Sequence, residues 1–541
     1  MNFNPKATST KTTLTIALFL VLLGNYSFWK NVIDVFDDFT FHNSLFLFSI
    51  FILLAAYLNI IFSLVSIKYI FKPVIISILI VSSFSAYFMD SYGVMIDKTM
   101  MRNVLETDVT ESYELLNFKM LYYFVIIGLL PSLIIIRTNI IYKPFLRESI
   151  TRIGIILLSF AIFASCAFIF YKDYASLARN NRHLRHLINP TNFLNAIHSI
   201  IKSHMDSGDT ILKPVGMDAT LAKTWQQRGK KTLTILVLGE TARARNFSLN
   251  GYKRDTNPML AREDIINFSN VYSCGTATAS SLPCMFSHLG RRSFSVKKAR
   301  GYESVLDVLS HAGISVLWRD NNSGCKGTCD RVQSENMVNL NVKKFCSTGE
   351  CHDEILLYRL QAFIDKLQTD AFIVLHQKGS HGPAYYLRYP EKFKKFTPIC
   401  ETNQLQDCKR NEIVNTYDNT ILYTDYFISR VISLLKKNTK QFNTAMLYIS
   451  DHGESLGERN IYLHGMPYLI APKVQKHIPF VLWFSREFET NLGIDKACLQ
   501  QKSNEKFSHD NLFHSALGLM DVRTDVYNKK LDIFSNCRKT L

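Results

Sequence analysis

The stretch KTLTILVLGETARARNFSLNGY, residues 231–252, reads as a strand that ends on a charge. Leu233 to Leu238 are all apolar or β-branched, the pattern of a parallel strand buried on both faces. The run stops at Gly239 and delivers Glu240. The same grammar recurs in DAFIVLHQKGSHGP, residues 370–383, where His376 and His381 follow the apolar run. It recurs again in NTAMLYISDHGESLGE, residues 443–458, where Asp451, His452 and Gly453 follow. Helical segments such as TILYTDYFISRVISLLKK, residues 420–437, lie between. Strands alternating with helices predict an α/β sandwich. In such sheets the ligand site lies beyond the carboxyl ends of the strands. Glu240, Asp451, His452 and His381 are therefore expected on one edge.

Two carboxylates and an imidazole are a usual first shell for Zn²⁺, and a catalytic zinc keeps one position open. Each piece alone says little. A Glu after a strand is usually solvated, and an Asp-His pair is often a turn. Together, each after a strand-like run, they favour a metal site. The loop VYSCGTATASSLPCMFS, residues 271–287, offers the missing alcohol among Thr276, Thr278, Ser280 and Ser281. A metal lowers the pKa of such an alcohol as it does that of bound water. Cys274 and Cys284, if bonded, pin that loop.

At 541 residues the chain is too long for one ordinary domain. Its formal charge of +17 suggests an anionic partner. Nucleic acid is not expected, because five apolar runs in the first third point to an acidic membrane surface: Thr13–Trp29, Ser44–Ile67, Pro73–Met89, Leu121–Ile136 and Ile153–Tyr171. Each is near the ~20 residues that cross a bilayer. Pro131 interrupts the fourth, which membrane helices tolerate. A cleaved signal peptide is not expected, since LLGNYSFWK, residues 22–30, lacks a small-x-small site. The loops alternate in charge. Lys6, Lys11, Lys68, Lys72, Arg137, Lys143, Arg147 and Arg152 mark the inner side, and the intervening loops are acidic. Everything after Tyr171 is then outside. The basic segment DYASLARNNRHLRHL, residues 173–187, fits either an amphipathic helix on acidic headgroups or a solvated linker helix. The expected division is a five-helix transmembrane domain over 1–171, a linker with an amphipathic helix over 172–230, and an exported catalytic domain over 231–541.

Ten of the 11 cysteines fall after Tyr171. They sit as near neighbours: Cys274 with Cys284, Cys325 with Cys329, Cys346 with Cys351, and Cys400 with Cys408, leaving Cys498 and Cys537 for each other. An even number in an exported domain predicts disulfides, although this pairing rests only on nearness.

The chain resembles the bacterial phosphoethanolamine transferases that modify lipid A, especially the mobile colistin-resistance group. The matching stretches are residues 236–252, FSNVYSCGTATASSLPCMFS (268–287), WRDNNSGCKG (318–327), LHQKGSHGPAYYLRYPEKFKKFTP (375–398) and YISDHGESLGERNIYLHGMP (448–467). The resemblance implies a membrane-anchored α/β protein: five N-terminal transmembrane helices, then an alkaline-phosphatase/sulfatase-like α/β/α domain in the periplasm, with the chain in the bacterial inner membrane. It implies Thr278 as the nucleophile, and Glu240, Thr278, Asp451 and His452 as ligands of one firmly bound Zn²⁺, with a second left open. His381 and His464 are implied at the phosphoryl group or a second metal. Lys326 and, more weakly, Ser323 are implied in substrate binding. Asn103, Thr107 and Glu111, within MMRNVLETDVTESYELLN (100–117), are implied at the donor-lipid site. Cys325 and Cys329 are absent from some close relatives and stand to stiffen the loop carrying Lys326.

The implied reaction has two steps. Thr278 takes phosphoethanolamine from phosphatidylethanolamine, and a lipid A phosphate then removes it. The general acid is left open between His381 and His464, while His376 is expected to orient a neighbour or to pack. Lipid A so modified is less anionic, which implies resistance to polymyxins and colistin. A monomer is expected. Three rival readings use the same residues or the same anchor: hydrolysis by a phosphodiesterase or sulfatase, phosphoglycerol transfer, and a transporter or receptor with a metal-stabilised outer domain. The membrane runs carry almost no charge for an ion pathway, which weighs against the last.

Overall fold

The computed structural model describes residues 5–36, 38–107, 112, 115–205, 212–222, 229–347 and 350–538. The chain forms two compact units, one of Met1–Met101 with Leu116–Ile200, the other of Arg102–Leu115 with Ile201–Leu541.

In the first unit four helices are long and apolar enough to cross a membrane: Phe41–Leu64, Phe71–Tyr92, Phe118–Arg137 and Phe145–Ile169. A bent pair, Ser9–Leu23 and Tyr26–Ile33, makes a fifth if counted as one span. The apolar run Thr13–Trp29 is thus not one straight helix, because it turns by 57° at Gly24-Asn25. The Asn25 amide donates to the Leu20 carbonyl (2.8 Å), which also accepts from the Gly24 N–H (2.9 Å). The third long helix carries a π-helical stretch, Phe124–Leu129, immediately before Pro131, where a missing N–H disturbs the ladder. The unit's interior mixes apolar side chains such as Leu20, Leu58, Phe62 and Leu79 with small polar ones, and its outside is apolar. Ser82, Ser83, Asn59 and Asn189 are buried, while Ile153, Leu157, Leu158 and Phe160 face outward. Asn59 donates to Ser159 (3.0 Å), and the side chain of Asn189 to the Gly24 and Ser82 carbonyls (3.0 and 2.9 Å). Such interhelical hydrogen bonds join helices whose outer faces match lipid. The basic segment 173–187 is helical to Asn180 and then forms a short 3₁₀ turn, Arg182–His186.

The second unit is built on an eight-stranded sheet. In chain order its strands are β1 (Lys231–Gly239), β2 (Ile265–Tyr272), β3 (Ser315–Asp320), β4 (Gln333–Asn336), β5 (Ala371–His376), β6 (Phe442–Ser450), β7 (His477–Phe484) and β8 (Phe507–Ser508). They lie side by side as β8-β2-β7-β6-β1-β5-β3-β4. From β6 to β4 every pairing is parallel, whereas β7 runs antiparallel to both β6 and β2. Side chains alternate between two cores. Leu236 and Leu238 of β1, with Leu447 and Ile449 of β6, enter one; Leu233, Ile235 and Val237, with Met446 and Tyr448, enter the other. Both faces are therefore covered, which is why these strands read as unbroken apolar runs.

Two helices flank the sheet where its strands end. α1 (Thr278–Met285) begins at the sheet's edge, and α2 (Arg410–Lys437) packs on one face through Ile413, Tyr417, Ile421, Ile428 and Ile432 at helical spacing. The cysteines bond in the five pairs given by nearness in sequence.

Candidate active site

Glu240 follows β1, Asp451 and His452 follow β6, and these strands are neighbours in parallel register, Ser450 beside Gly239. Three chemically demanding side chains thus meet because two strands end at the same height. All three are fully buried. Their ligand atoms lie within 4.8 Å of one another.

Thr278, half-buried, is the first residue of α1. Its Oγ1 lies 3.0 Å from Glu240 Oε2 and 3.4 Å from His452 Nε2. The Cys274–Cys284 bond closes the loop on which it sits. His509 braces the same loop: its Nδ1 accepts from the Cys274 N–H (3.1 Å), and its Nε2 donates to the Ser450 carbonyl (2.9 Å). Sequence reasoning passed over His509, which has no motif around it.

The electrostatics of the cluster favour a cation. Burial, and then the charge of Asp451, push the Glu240 carboxyl up to about 7. Burial likewise raises Asp451 to about 7. Burial, with His464 beside it, holds the His452 imidazole far below its ordinary value and hence neutral. His452 Nδ1 faces the Gly453 carbonyl (2.9 Å), so it carries the proton and leaves Nε2 as a lone pair. That lone pair faces Asp451 Oδ2 at 3.3 Å, an oxygen with no hydrogen-bond donor. Acceptors crowded together in a dry pocket repel one another unless a cation sits among them. The donor set, two carboxylates and a neutral imidazole with a nearby alcohol, fits Zn²⁺.

Two further histidines border the cluster. The His464 ring centre is 4.4 Å from that of His452 and 5.5 Å from that of His381. Burial opposes the charge of His464, but Glu454 facing its Nδ1 (3.3 Å), with Glu240 and Asp451 behind, raises it to about 9. His381 is held through its backbone, where its carbonyl accepts from Arg388 Nε (2.8 Å). Arg388 is itself buried and paired with Glu350.

His376 is not at this cluster. Its Nδ1 pairs with Asp320 Oδ2 (3.0 Å), the residue opposite it in the β5–β3 register. Burial works against the Asp320 charge, but His376 and donors from Trp318 and the Asn322 backbone bring it down to about 2. Asn322 then reaches Glu240 Oε2 with its amide (2.8 Å). Asp320, Asn322 and Arg388 were missed from sequence; WRDNNSG was the signal for the first two.

Ser323 and Lys326 continue the Asn322 loop. They line a cleft of about 520 Å³ with Glu106 and Arg300. Lys326 Nζ donates to the carbonyls of Ser323 (2.9 Å) and Glu106 (3.3 Å), and Arg300 pairs with Glu106 (2.7 Å). Thr107 Oγ1 donates to the Asn103 carbonyl (2.7 Å), and in that segment it is Glu106 that lines the cleft. Glu111 lies outside the described residues.

Comparison with known proteins agrees with both units. Residues 54–205 match the family described as phosphoethanolamine transferase EptA/EptB, and residues 232–522 the sulfatase family. The chain is 43% identical over 530 residues to phosphoethanolamine transferase EptA of Escherichia coli (strain K12), covering 97% of this chain and 96% of that protein. It is 38% identical over 528 residues to phosphatidylethanolamine transferase Mcr-1 of Escherichia coli, covering 94% of each. Among solved structures, the integral membrane lipooligosaccharide phosphoethanolamine transferase A (EptA) from Neisseria meningitidis superimposes with a TM-score of 0.96 at 39% identity, covering 99% of this chain and 100% of that one. The apolar helices and this full-length likeness make it an inner-membrane protein with a periplasmic soluble domain of sulfatase and alkaline-phosphatase type. With likeness spanning membrane helices and sheet alike, the chain belongs to the phosphoethanolamine transferase family.

Proposed function

We propose that this chain moves phosphoethanolamine from phosphatidylethanolamine to a phosphate of lipid A by way of Thr278. The observation that carries the reading is Thr278 Oγ1 at 3.0 Å from Glu240, beside Asp451 and His452. The names of two relatives support donor and acceptor: one is a phosphatidylethanolamine transferase, the other a lipooligosaccharide phosphoethanolamine transferase.

Glu240, Asp451 and His452, with Thr278, would hold Zn²⁺, which when bound supplies positive charge for the carboxylates and acidity for a nearby alcohol. Thr278 Oγ1 forms a bond to phosphorus as the bond from phosphorus to the diacylglycerol oxygen breaks. The threonine loses its hydroxyl proton, and one proton ends on the departing diacylglycerol. His464 is the donor to that oxygen, because Glu454 behind it supports a protonated ring. His381 faces the phosphoryl oxygens. In the second step an oxygen of a lipid A phosphate attacks the same phosphorus, and Thr278 leaves and recovers a proton. Thr278 stands first in α1, so the helix N-terminus favours the negative charge that develops there. Lys326, Ser323 and the segment bearing Asn103, Thr107 and Glu111 would receive the donor headgroup. The amine added to lipid A offsets part of its negative charge, and cationic peptides such as polymyxins bind it less.

Mass spectrometry of lipid A tests this in cells carrying the wild type or Thr278→Ala. A phosphoethanolamine adduct is expected with the first and not the second. An adduct that persists with alanine overturns the nucleophile. Free phosphoethanolamine without an adduct overturns transfer in favour of hydrolysis.

A further inference from the structure

The segment PYLIAPKVQKH, residues 467–477, lies a few residues beyond His464 and carries a leucine that packs on nothing. Leu469 is 93% exposed, the most exposed large apolar side chain among the described residues of the soluble unit, and Ile470 beside it is 37% exposed. A single exposed leucine is ordinary in itself. Its surroundings are not. Arg291 stacks on the ring of Tyr468, guanidinium carbon to ring centre 3.2 Å, and Lys476 Nζ donates to the Tyr468 carbonyl (3.1 Å). The Tyr468 hydroxyl donates to the Ser273 carbonyl (2.9 Å), which joins this platform to Tyr272. Over Tyr272 stand Lys473 Nζ at 5.9 Å and Lys506 Nζ at 5.4 Å.

Four cations thus stand over two tyrosines, one of them next to the exposed Leu469 and tied to the other's strand end through Ser273. Among the described residues no carboxylate makes an ion pair with Arg291, Lys473, Lys476 or Lys506. Asp510 accepts from the backbone N–H of Arg291 (2.8 Å), and its charge bears on the guanidinium. Burial, with Arg291 adding to it, lowers the pKa of Lys476. Basic residues around a protruding apolar side chain, with tyrosines between, are the composition of a surface that rests at a lipid headgroup layer. The chain is held at such a layer by its own helices, so docking there is intramolecular and needs little intrinsic affinity.

We propose that the 468–476 segment, with Arg291 and Lys506, is a docking surface for the anionic phospholipid headgroups of the bilayer in which the chain is anchored. Leu469 enters the acyl boundary and the four cations meet phosphates. The surface is tied directly to the nucleophile's loop, because the Gly465 N–H donates to the Thr276 carbonyl (2.7 Å) and Thr276 Oγ1 to the Met466 carbonyl (2.6 Å). Docking would therefore set the height of that loop above the lipid. This inference stands apart from the transfer reaction and does not need Thr278 to be the nucleophile.

The test uses the full chain in nanodiscs of phosphatidylglycerol and phosphatidylcholine with brominated acyl chains. Leu469→Trp is compared with the parent and with Leu340→Trp, an exposed control elsewhere on the unit (54% exposed). Extra quenching is expected at position 469, strongest for bromines ~5–10 Å below the headgroups, and none at 340. Adding Lys473→Gln and Lys506→Gln should lower the ratio of docked to undocked forms roughly fivefold per lysine. Quenching at 469 no greater than at 340 overturns the proposal, and so does quenching indifferent to the lysines. Quenching that requires added lipid A and not phosphatidylglycerol also overturns it, assigning the surface to the acceptor instead.

Discussion

Thr278 Oγ1 lies 3.0 Å from Glu240 Oε2, a meeting of two residues 38 positions apart. One opens a short helix and the other closes a central strand, so each is placed by backbone that packing holds rigid. The contact also puts an alcohol against a carboxylate that burial makes reluctant to ionise. A cation is the natural third party.

Glu240→Gln removes one negative charge from three converging acceptors. Zinc affinity, read by competition with a chelator, should fall by more than the ~10–100-fold typical of an outer-sphere change. The metal-free chain should move the other way and melt higher than the metal-free wild type, because like charges no longer share a dry pocket. A lower metal-free melting temperature would mean the cluster is not built around a cation.

Gly379→Ala should disable the site without touching a reacting group. Gly379 has φ +56°, and a Cβ there would meet the Glu240 carbonyl oxygen at 2.7 Å and its nitrogen at 3.0 Å. Neither atom is the far end of a flexible side chain, so the main chain at Glu240 must shift. Gly313→Ala is the control, with φ +81° and nothing within 4 Å, and should show only the ~1–2 kcal/mol of left-handed strain. Lipid A modification should vanish for the first and persist for the second. Equal effects would show that the contact with Glu240 decides nothing.

These effects bear on what the sequence discloses. β1, β5 and β6 are legible because both faces are covered, which leaves no polar alternate, and Glu240 and Asp451 directly follow β1 and β6. β2 is less so: INFSNVY is only partly buried, and its antiparallel partner β7 follows some 200 residues later. Asp320 and His376 meet only through strand register, which sequence does not state. Arg388 acts on a backbone carbonyl, and a carbonyl leaves no pattern in a sequence. Gly24-Asn25 was visible within an apolar run, yet its meaning, a bend capped by an amide, depends on three-dimensional geometry.

Arg388→Gln should loosen His381. Arg388 is buried, pairs with Glu350 and donates to the His381 carbonyl. Glu350 keeps Lys378 (3.3 Å), so the loss should fall short of the about 3–5 kcal/mol that follows when a buried charge is left uncompensated. Thermal melting should drop accordingly, and Glu350→Gln in the same chain should restore part of it. If the double variant melts no higher than the single, the pair is not what holds that loop.

Asp425, in the middle of α2, makes stability depend on pH. Its carboxylate accepts from the backbone N–H groups of Met259 (2.8 Å) and Leu260 (3.0 Å), yet burial outweighs both and raises it to about 7. The unfolded chain keeps an ordinary value of about 3.9. The folded form therefore holds its proton more tightly, so the stabilisation is complete below about pH 4 and is lost as pH rises through about 7. The full span is of order 4 kcal/mol at most, from a shift of about three units. Asp425→Asn cannot titrate, and it retains one acceptor oxygen while giving up a bond worth about 1 kcal/mol. With zinc saturating both chains, the wild type should melt higher than the variant near pH 5, and its advantage should shrink or reverse by pH 8. Curves that stay parallel across that range would show that Asp425 ionises at its ordinary pH, and that its two backbone hydrogen bonds prevail over burial.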